Sequence, residues 1–271
     1  MDHAESRAKL IIEAALPGSH MRFRTDQSRS VHDFDLHLAD GTVEAVEVTA
    51  SVDREAEETN AAIVDSKKGG RWIPTVLCKN DWHIHPSSDA RIDLIRREAD
   101  QCLAEVEAAG LDTFVGPGDW AEHACVKRAY QDLRIFSGAV ISGRSLGRIS
   151  MAPPGGGGAV GEMLVHEAVI EEASKQDNRT KLAASGLAKR HLAVYIHSRN
   201  YLPWVALIDL EPPQLVVDLP TEITDVWVFT ENRSPSGFSV WHGRPGSLWE
   251  NIGPITVTVP SNIALEPTAR I

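Results

Sequence analysis

One stretch, residues 31–51, constrains the fold of this chain more than any other. It reads VHDFDLHLADGTVEAVEVTAS and alternates apolar and polar residues as the two strands of a β-hairpin do. In the first strand Phe34 lies between Asp33 and Asp35, so the two acids share the face opposite the phenyl ring. The second strand places Glu47 among apolar residues. A plain hairpin does not need these acids.

The length of the connecting loop decides which residues face each other across the hairpin. A two-residue Asp-Gly loop would pair Phe34 with Glu47, and this would mix an apolar with an acidic side chain. A three-residue Ala-Asp-Gly loop, with Gly41 in the left-handed conformation, pairs Phe34 with Val46 and Asp33 with Glu47. Because the buried face fixes the register, the sequence predicts the three-residue loop.

In that register three carboxylates, those of Asp33, Asp35 and Glu47, gather on one side of the sheet. Like charges facing each other destabilise a sheet by up to about 1 kcal/mol per pair. A divalent cation would remove this repulsion, and oxygen ligands suit Mg²⁺ or Mn²⁺. The sequence therefore predicts a metal site with these three ligands. The alternative is that the acids line a solvated face.

The same residues resemble the PD-(D/E)XK family, whose members have a restriction-endonuclease-like fold. That family carries an Asp on one strand and Glu-X-Lys on the next, after a preceding helix. Here Asp33 or Asp35 matches the first element, and Glu47-Val48-Thr49 matches the second. The resemblance implies a Mg²⁺- or Mn²⁺-dependent nuclease that hydrolyses phosphodiester bonds, with Asp35 and Glu47 as catalytic residues.

The resemblance also implies a layout for the chain. We expect an α/β fold in which a mixed central sheet is flanked by helices. The nuclease-like core would comprise residues 1–51 and 159–258. A mostly helical insertion would occupy residues 52–158, and residues 259–271 would form an irregular tail.

The chain departs from the family at Thr49, which stands where the family has lysine. In that family the lysine helps to position and activate the attacking water, and threonine cannot supply its charge. We predict that Lys175, near the end of a helix over residues 160–180, replaces the lysine, with Lys181 as the second candidate. The alternative is that these long side chains simply reach solvent at the helix end. The missing lysine also leaves open a catalytically inactive nuclease-fold module that binds protein or nucleic acid.

Periodicity predicts the other elements of the core. Helices are expected over residues 4–16 and 160–180, and the second should bury Val165 and Val169 against the sheet. Four later segments are expected to be strands: RHLAVYIH, WVALIDL, TDVWVFT and, at an edge, FSVWHG. We expect the strand at 191–197 to join the hairpin in one sheet. The Pro- and Gly-rich residues 152–162 should break the chain between elements.

The partners are constrained by charge. The formal net charge of −11 does not favour coating nucleic acid by bulk attraction, but a local basic patch remains compatible with it. Two clusters would flank the hairpin and hold phosphates: Arg22, Arg24 and Arg29, and Arg179 with Lys181. We expect nucleic acid, DNA rather than RNA, as the partner, and a protein partner or homodimer stays open. No apolar run is long enough to span a membrane, and a cytoplasmic location is expected.

A second group of polar residues lies outside the hairpin. The segment DWHIH places His83 and His85 on one face of a short strand. A His-X-His pair can bind zinc, but no third ligand has a diagnostic spacing. Surface or hydrogen-bonded histidines are the commoner interpretation.

Overall fold

The structure is a computed structural model, and it describes residues 2–25, 31–119, 122–141, 146–154, 161–232, 234 and 236–257. The chain divides into two compact units, one comprising Met1–Val52 with Val160–Ile271 and the other Asp53–Ala159. The dividing points lie within a residue or two of the expected insertion. The tail 259–271 and most of the Gly-rich break lie outside the described residues.

The helices and strands are numbered along the chain. The helices are α1 His3–Ala15, α2 Arg54–Val64, α3 Ile92–Ala108, α4 Gly116–Asp119, α5 Ala124–Gln131, α6 Met163–Ser174, α7 Gln176–Ala184 and α8 Tyr201–Asp209. The strands are β1 His20–Phe23, β2 Phe34–His37, β3 Val43–Ser51, β4 Trp72–Pro74, β5 Trp82–Pro86, β6 Thr113–Val115, β7 Ile135–Val140, β8 Arg148–Met151, β9 Arg190–Ile196, β10 Asp225–Glu231, β11 Gly237–Gly243 and β12 Glu250–Thr256.

The first unit is built on a seven-stranded mixed sheet in the order β1-β2-β3-β9-β10-β11-β12. Strands β3, β9 and β10 run parallel to one another, and the remaining neighbours are antiparallel. The expectation of an α/β fold with a mixed sheet is confirmed. So is the expectation that the strand near residues 191–197 joins the hairpin, because β3 pairs directly with β9.

Helices cover both faces of this sheet, so the first unit has three layers. On one face α1 packs through Ile11 against Phe34 and other apolar residues of the sheet. On the other face α6 packs through Val165 and Val169 against Leu192. The predicted inward face of this helix is therefore confirmed. Hydrophobic burial on both sides makes β3 and β9 the centre of the unit.

The hairpin has the predicted register. Phe34 pairs with Val46 and Asp35 with Ala45. The loop closes through two hydrogen bonds: the Leu38 amide donates to the Thr42 carbonyl at 2.9 Å, and the Gly41 amide donates to the Leu38 carbonyl at 3.0 Å. Gly41 has φ +86°, which a residue without Cβ adopts readily. The three-residue loop is confirmed.

Three of the predicted elements are wrong in part. The single helix over 160–180 is two helices, α6 and α7, because Lys175 adopts an extended ψ of 125° between them. The segment WVALIDL is helical, in α8, and buries residues at helical rather than alternating spacing. The strand FSVWHG is β11, but β12 lies outside it and forms the edge of the sheet.

The second unit has its own core. A five-stranded sheet in the order β4-β8-β5-β7-β6 packs against helices through buried residues such as Ile84 and Leu103. Helices make up most of its regular structure, but the sheet organises the unit. The sequence predicted a mostly helical insertion and did not predict this sheet. Its strands have only three to six residues each, too few to give a clear alternating pattern.

Candidate active site

Two carboxyl groups meet on the face of the seven-stranded sheet that carries α6 and α7. Asp33 immediately precedes β2, and its Oδ2 accepts a hydrogen bond from the Val48 amide at 2.8 Å. Glu47 lies in the middle of β3, and its side chain is only 2% exposed. The two acids interact directly, as the hairpin register requires. The structure thus brings together two of the three predicted metal ligands.

Burial perturbs both acids. Desolvation and the neighbouring Asp33 raise the pKa of Glu47 to about 8, against the opposing effect of Lys181. Desolvation also raises the pKa of Asp33, although the Val48 amide and Lys181 oppose it. Two close carboxylates in a low dielectric resist double ionisation. Without a divalent metal ion the pair therefore retains a proton near neutral pH, even with Lys181 beside it.

Lys181 supplies a positive charge at this pair. Its Nζ lies 2.8 Å from Glu47 Oε1 and 3.1 Å from Asp177 Oδ2. Burial opposes the charged ammonium, but the hydrogen bond to Glu47 and the attraction of Asp177 raise the pKa of Lys181 above its ordinary value. One ammonium balances one of the two strand carboxylates. The remaining negative charge needs a proton or another cation.

One oxygen of this cluster is buried without a hydrogen bond. Glu47 Oε2 has no partner among the described residues. An unsatisfied buried acceptor costs about 1–3 kcal/mol. Either the proton that the acid pair retains or a metal ion would satisfy this oxygen. Mg²⁺ is commonly held by one or two carboxylates, with water and substrate phosphates completing its shell. Glu47 Oε2 and Asp33 fit that requirement. The described residues contain no ready-made group of three or more His, Cys, Asp or Glu ligands.

Asp35 is engaged elsewhere, so its predicted place in a three-acid cluster is not supported. It shares the sheet face with Asp33, but its Oδ1 accepts a hydrogen bond from His32 Nε2 at 2.8 Å. Arg24 Nη1 lies 3.5 Å from the same oxygen. His32 is 2% exposed and lies next to the acids in sequence. The alternation of the strand placed Asp35 on the right face but could not show this partner.

The predicted role of Lys175 is also corrected. Its Nζ binds Glu172 Oε1 at 2.6 Å, and Glu172 Oε2 accepts a hydrogen bond from the Thr49 hydroxyl at 2.9 Å. The ammonium that contacts Glu47 belongs to the second candidate, Lys181. Thr49, where the sequence resemblance led us to expect a lysine, is therefore linked to a buried acid of α6.

The break between α6 and α7 explains why Lys181, and not Lys175, contacts Glu47. A continuous helix would place Lys175 on the face of Val165 and Val169, but the extended Lys175 backbone resets the helical phase. In α7 the buried residues are Asn178 and Leu182, and Lys181 lies beside Leu182. The sequence pattern that indicates this inward face is the i, i+4 spacing of Asn178 and Leu182. No sequence pattern indicates the extended conformation at Lys175.

The predicted phosphate-binding residues have mixed environments. Arg22 is exposed and pairs across the ladder with Asp35. Arg24 lies near the Asp35 carboxylate, and Arg179 Nη2 donates to Glu222 Oε1 at 2.8 Å. Arg29 lies outside the described residues. Within the part of the chain that the structure describes, Arg22 is therefore the arginine of this set best placed for an external phosphate.

Comparisons with protein-family models, with curated proteins and with solved structures found no match for the chain. The described helices include none that is long and apolar enough to cross a membrane. The functional argument therefore rests on the geometry around Glu47.

Proposed function

We propose that the chain is a metal-dependent nuclease with a restriction-endonuclease-like core, acting on phosphodiester bonds of nucleic acid. One observation carries the proposal. A buried Glu47 with an unpaired Oε2 lies between Asp33 and a lysine ammonium at 2.8 Å. An acid pair with an adjacent lysine is the set that the PD-(D/E)XK resemblance implies, with Lys181 in place of the motif lysine.

The arrangement of elements supports the same interpretation. Helix α1 precedes the hairpin, Asp33 begins one strand, and Glu47-Val48-Thr49 lies in the next. The lysine comes from α7 instead of from β3, but its ammonium reaches the same carboxylate. The functional group is therefore retained although its sequence position has moved.

Asp33 and Glu47 would hold Mg²⁺ or Mn²⁺. Such an ion lowers the pKa of a bound water and neutralises charge that develops on a phosphate. Residues of the chain would supply the remaining parts of the mechanism. Glu47 would release its proton to solvent when it serves as a metal ligand, and Lys181 would hold and orient the attacking water through Nζ. Arg22 would contact a flanking phosphate, which fixes the position of the strand without reading its sequence.

The competing proposal is an inactive nuclease-fold module that binds nucleic acid or protein. The observation that favours it is the Thr49–Glu172 hydrogen bond, which shows the motif lysine position committed to a structural contact. A buried Lys181–Glu47 pair could likewise serve only the fold, because each member compensates the buried charge of the other.

A cleavage assay separates the two proposals. The wild-type protein should cut single- or double-stranded DNA, or RNA, with Mg²⁺ or Mn²⁺ and lose this activity in EDTA. Asp33→Asn and Glu47→Gln should abolish cleavage and weaken Mn²⁺ binding measured by calorimetry. Glu171→Gln, an exposed acid on α6, serves as the matched control and should cut normally. The proposal of an inactive binding module is favoured if the wild type binds no Mn²⁺ and cuts none of these substrates.

A further inference from the structure

The five-stranded sheet of the second unit has one covered and one open face. Strand β5 sends Trp82 and Ile84 into the core shared with α3 and α5. Its alternate residues, His83 and His85, therefore point to the opposite face, where both are half-buried. Cross-strand pairing extends this face to both edges of the sheet.

The open face carries an exposed aromatic ring at its edge. Trp72, in edge strand β4, is 46% exposed. The guanidinium of Arg148 lies 4.0 Å from the centre of the indole ring. Ser150 pairs across the ladder with both Trp72 and His83, so the indole and the imidazole belong to one row. A cation–π contact holds the ring in place and puts positive charge beside it.

The described strand residues of this face include one cation and no acid. The strand residues that point to it are Trp72, Pro74, His83, His85, Thr113, Val115, Ser137, Ala139, Arg148 and Ser150. None of these described residues is acidic, although the chain has a formal net charge of −11. The cation of this face is Arg148, whose Nε lies 3.9 Å from the buried Asp81 carboxylate.

The two histidines add flat surface rather than charge. Their rings meet edge to face with centres 5.0 Å apart. Burial lowers the pKa of His83, and burial together with His83 lowers the pKa of His85. The Ser150 hydroxyl lies 2.7 Å from His83 Nδ1 and fixes the ring. Neutral imidazoles held in this way present faces on which a planar base can stack.

We propose that this open face binds single-stranded nucleic acid. Bases stack on Trp72 and the histidine rings, and Arg148 contacts a phosphate. An exposed ring beside a guanidinium, on strands whose described residues present no acidic side chain to this face, suits a ligand that offers both π-faces and negative charge. Paired bases in a duplex hide those faces, so a single strand is the ligand that fits. This site is separate from the Glu47 cluster, and binding here does not depend on cleavage there.

The test measures binding of a fluorescein-labelled oligothymidylate by anisotropy, in EDTA so that no cleavage occurs. Wild type should bind, and the Glu171→Gln protein, with an exposed change on α6, should bind equally well. Trp72→Ala should weaken binding at least about fivefold, because stacking on one aromatic ring contributes that much or more. Trp72→Phe retains a ring and should bind almost as wild type does. Arg148→Gln should lower the slope of log affinity against log salt by about 0.7 for one lost phosphate contact.

Matched controls lie outside the open face. Tyr201→Ala removes an aromatic ring that is 40% exposed on α8, and Arg97→Gln removes an exposed arginine on α3. Both should bind as wild type does. Any one of three results would overturn the proposal: no saturable binding by wild type, equal binding by Trp72→Ala, or competition by a duplex as effective as that by the single strand.

Discussion

The acid pair predicts an unusual dependence of stability on pH. Burial and Asp33 raise the pKa of Glu47 from its ordinary value of 4.5 to about 8. A carboxyl group whose pKa is higher in the folded than in the unfolded state stabilises the fold. This stabilisation is complete at pH values below the pKa of the group in the unfolded state. That stability is lost as the pH rises through its folded pKa. Between these two pKa values the free energy of unfolding of the metal-free protein should fall by about 1.4 kcal/mol per pH unit through Glu47. The total loss by pH 7 is about 3 kcal/mol.

The Glu47→Gln variant isolates this effect. Glutamine has nearly the shape of the protonated acid but cannot ionise, so the variant should gain stability relative to wild type as the pH rises from about 5 to about 8. Urea unfolding in EDTA at several pH values gives the difference directly. The groups that face Glu47 are Asp33, Lys181 and Asp177, and all three are unchanged in the variant. Glu171→Gln, an exposed change on α6, measures the general effect of removing one negative charge.

Two results would refute this reasoning. The stability difference between Glu47→Gln and wild type could stay constant with pH, in which case Glu47 does not titrate in this range. Alternatively, wild type could gain stability relative to the variant as the pH rises. Ionised Glu47 would then be stabilised by Lys181 more than it is destabilised by burial and Asp33, and the acid pair would not hold a proton.

Three further changes, one of them with a control, test other parts of the structure. Gly41→Ala places a side chain at φ +86°, and urea unfolding should show a loss of about 1–2 kcal/mol. His191→Ala removes the partner 2.7 Å from the buried Glu44 carboxylate and should cost about 1–3 kcal/mol. His20→Ala, at a histidine 69% exposed, should cost far less by the same measurement. Asp35→Asn should retain cleavage and Mn²⁺ binding, since its carboxylate binds His32; loss of both would restore Asp35 as a metal ligand.

The sequence was sufficient where a short-range pattern determines the structure. Alternation and the Ala-Asp-Gly loop set the hairpin register, and this register places Asp33 opposite Glu47. Periodicity identified the inward face of α6. These features depend on neighbours in the chain or on one buried face, so local reasoning could find them.

Features set by tertiary contacts could not be predicted in this way. The run WVALIDL is too short for periodicity to distinguish a buried strand from a helix, and it folds as part of α8. The choice of Lys181 over Lys175 depends on a single extended residue between two helices. The partner of Asp35 depends on how His32 folds back against the strand.

The central claim is that Lys181 replaces the missing motif lysine at a metal-binding acid pair. Single-turnover cleavage of DNA with Mn²⁺ by Lys181→Met and by Lys175→Met tests it most directly. Both variants remove one ammonium that contacts a buried glutamate, but only Lys181 contacts Glu47. Lys181→Met should lose cleavage and keep Mn²⁺ binding, whereas Lys175→Met should cut as wild type does. Equal cleavage by Lys181→Met and wild type would contradict the account.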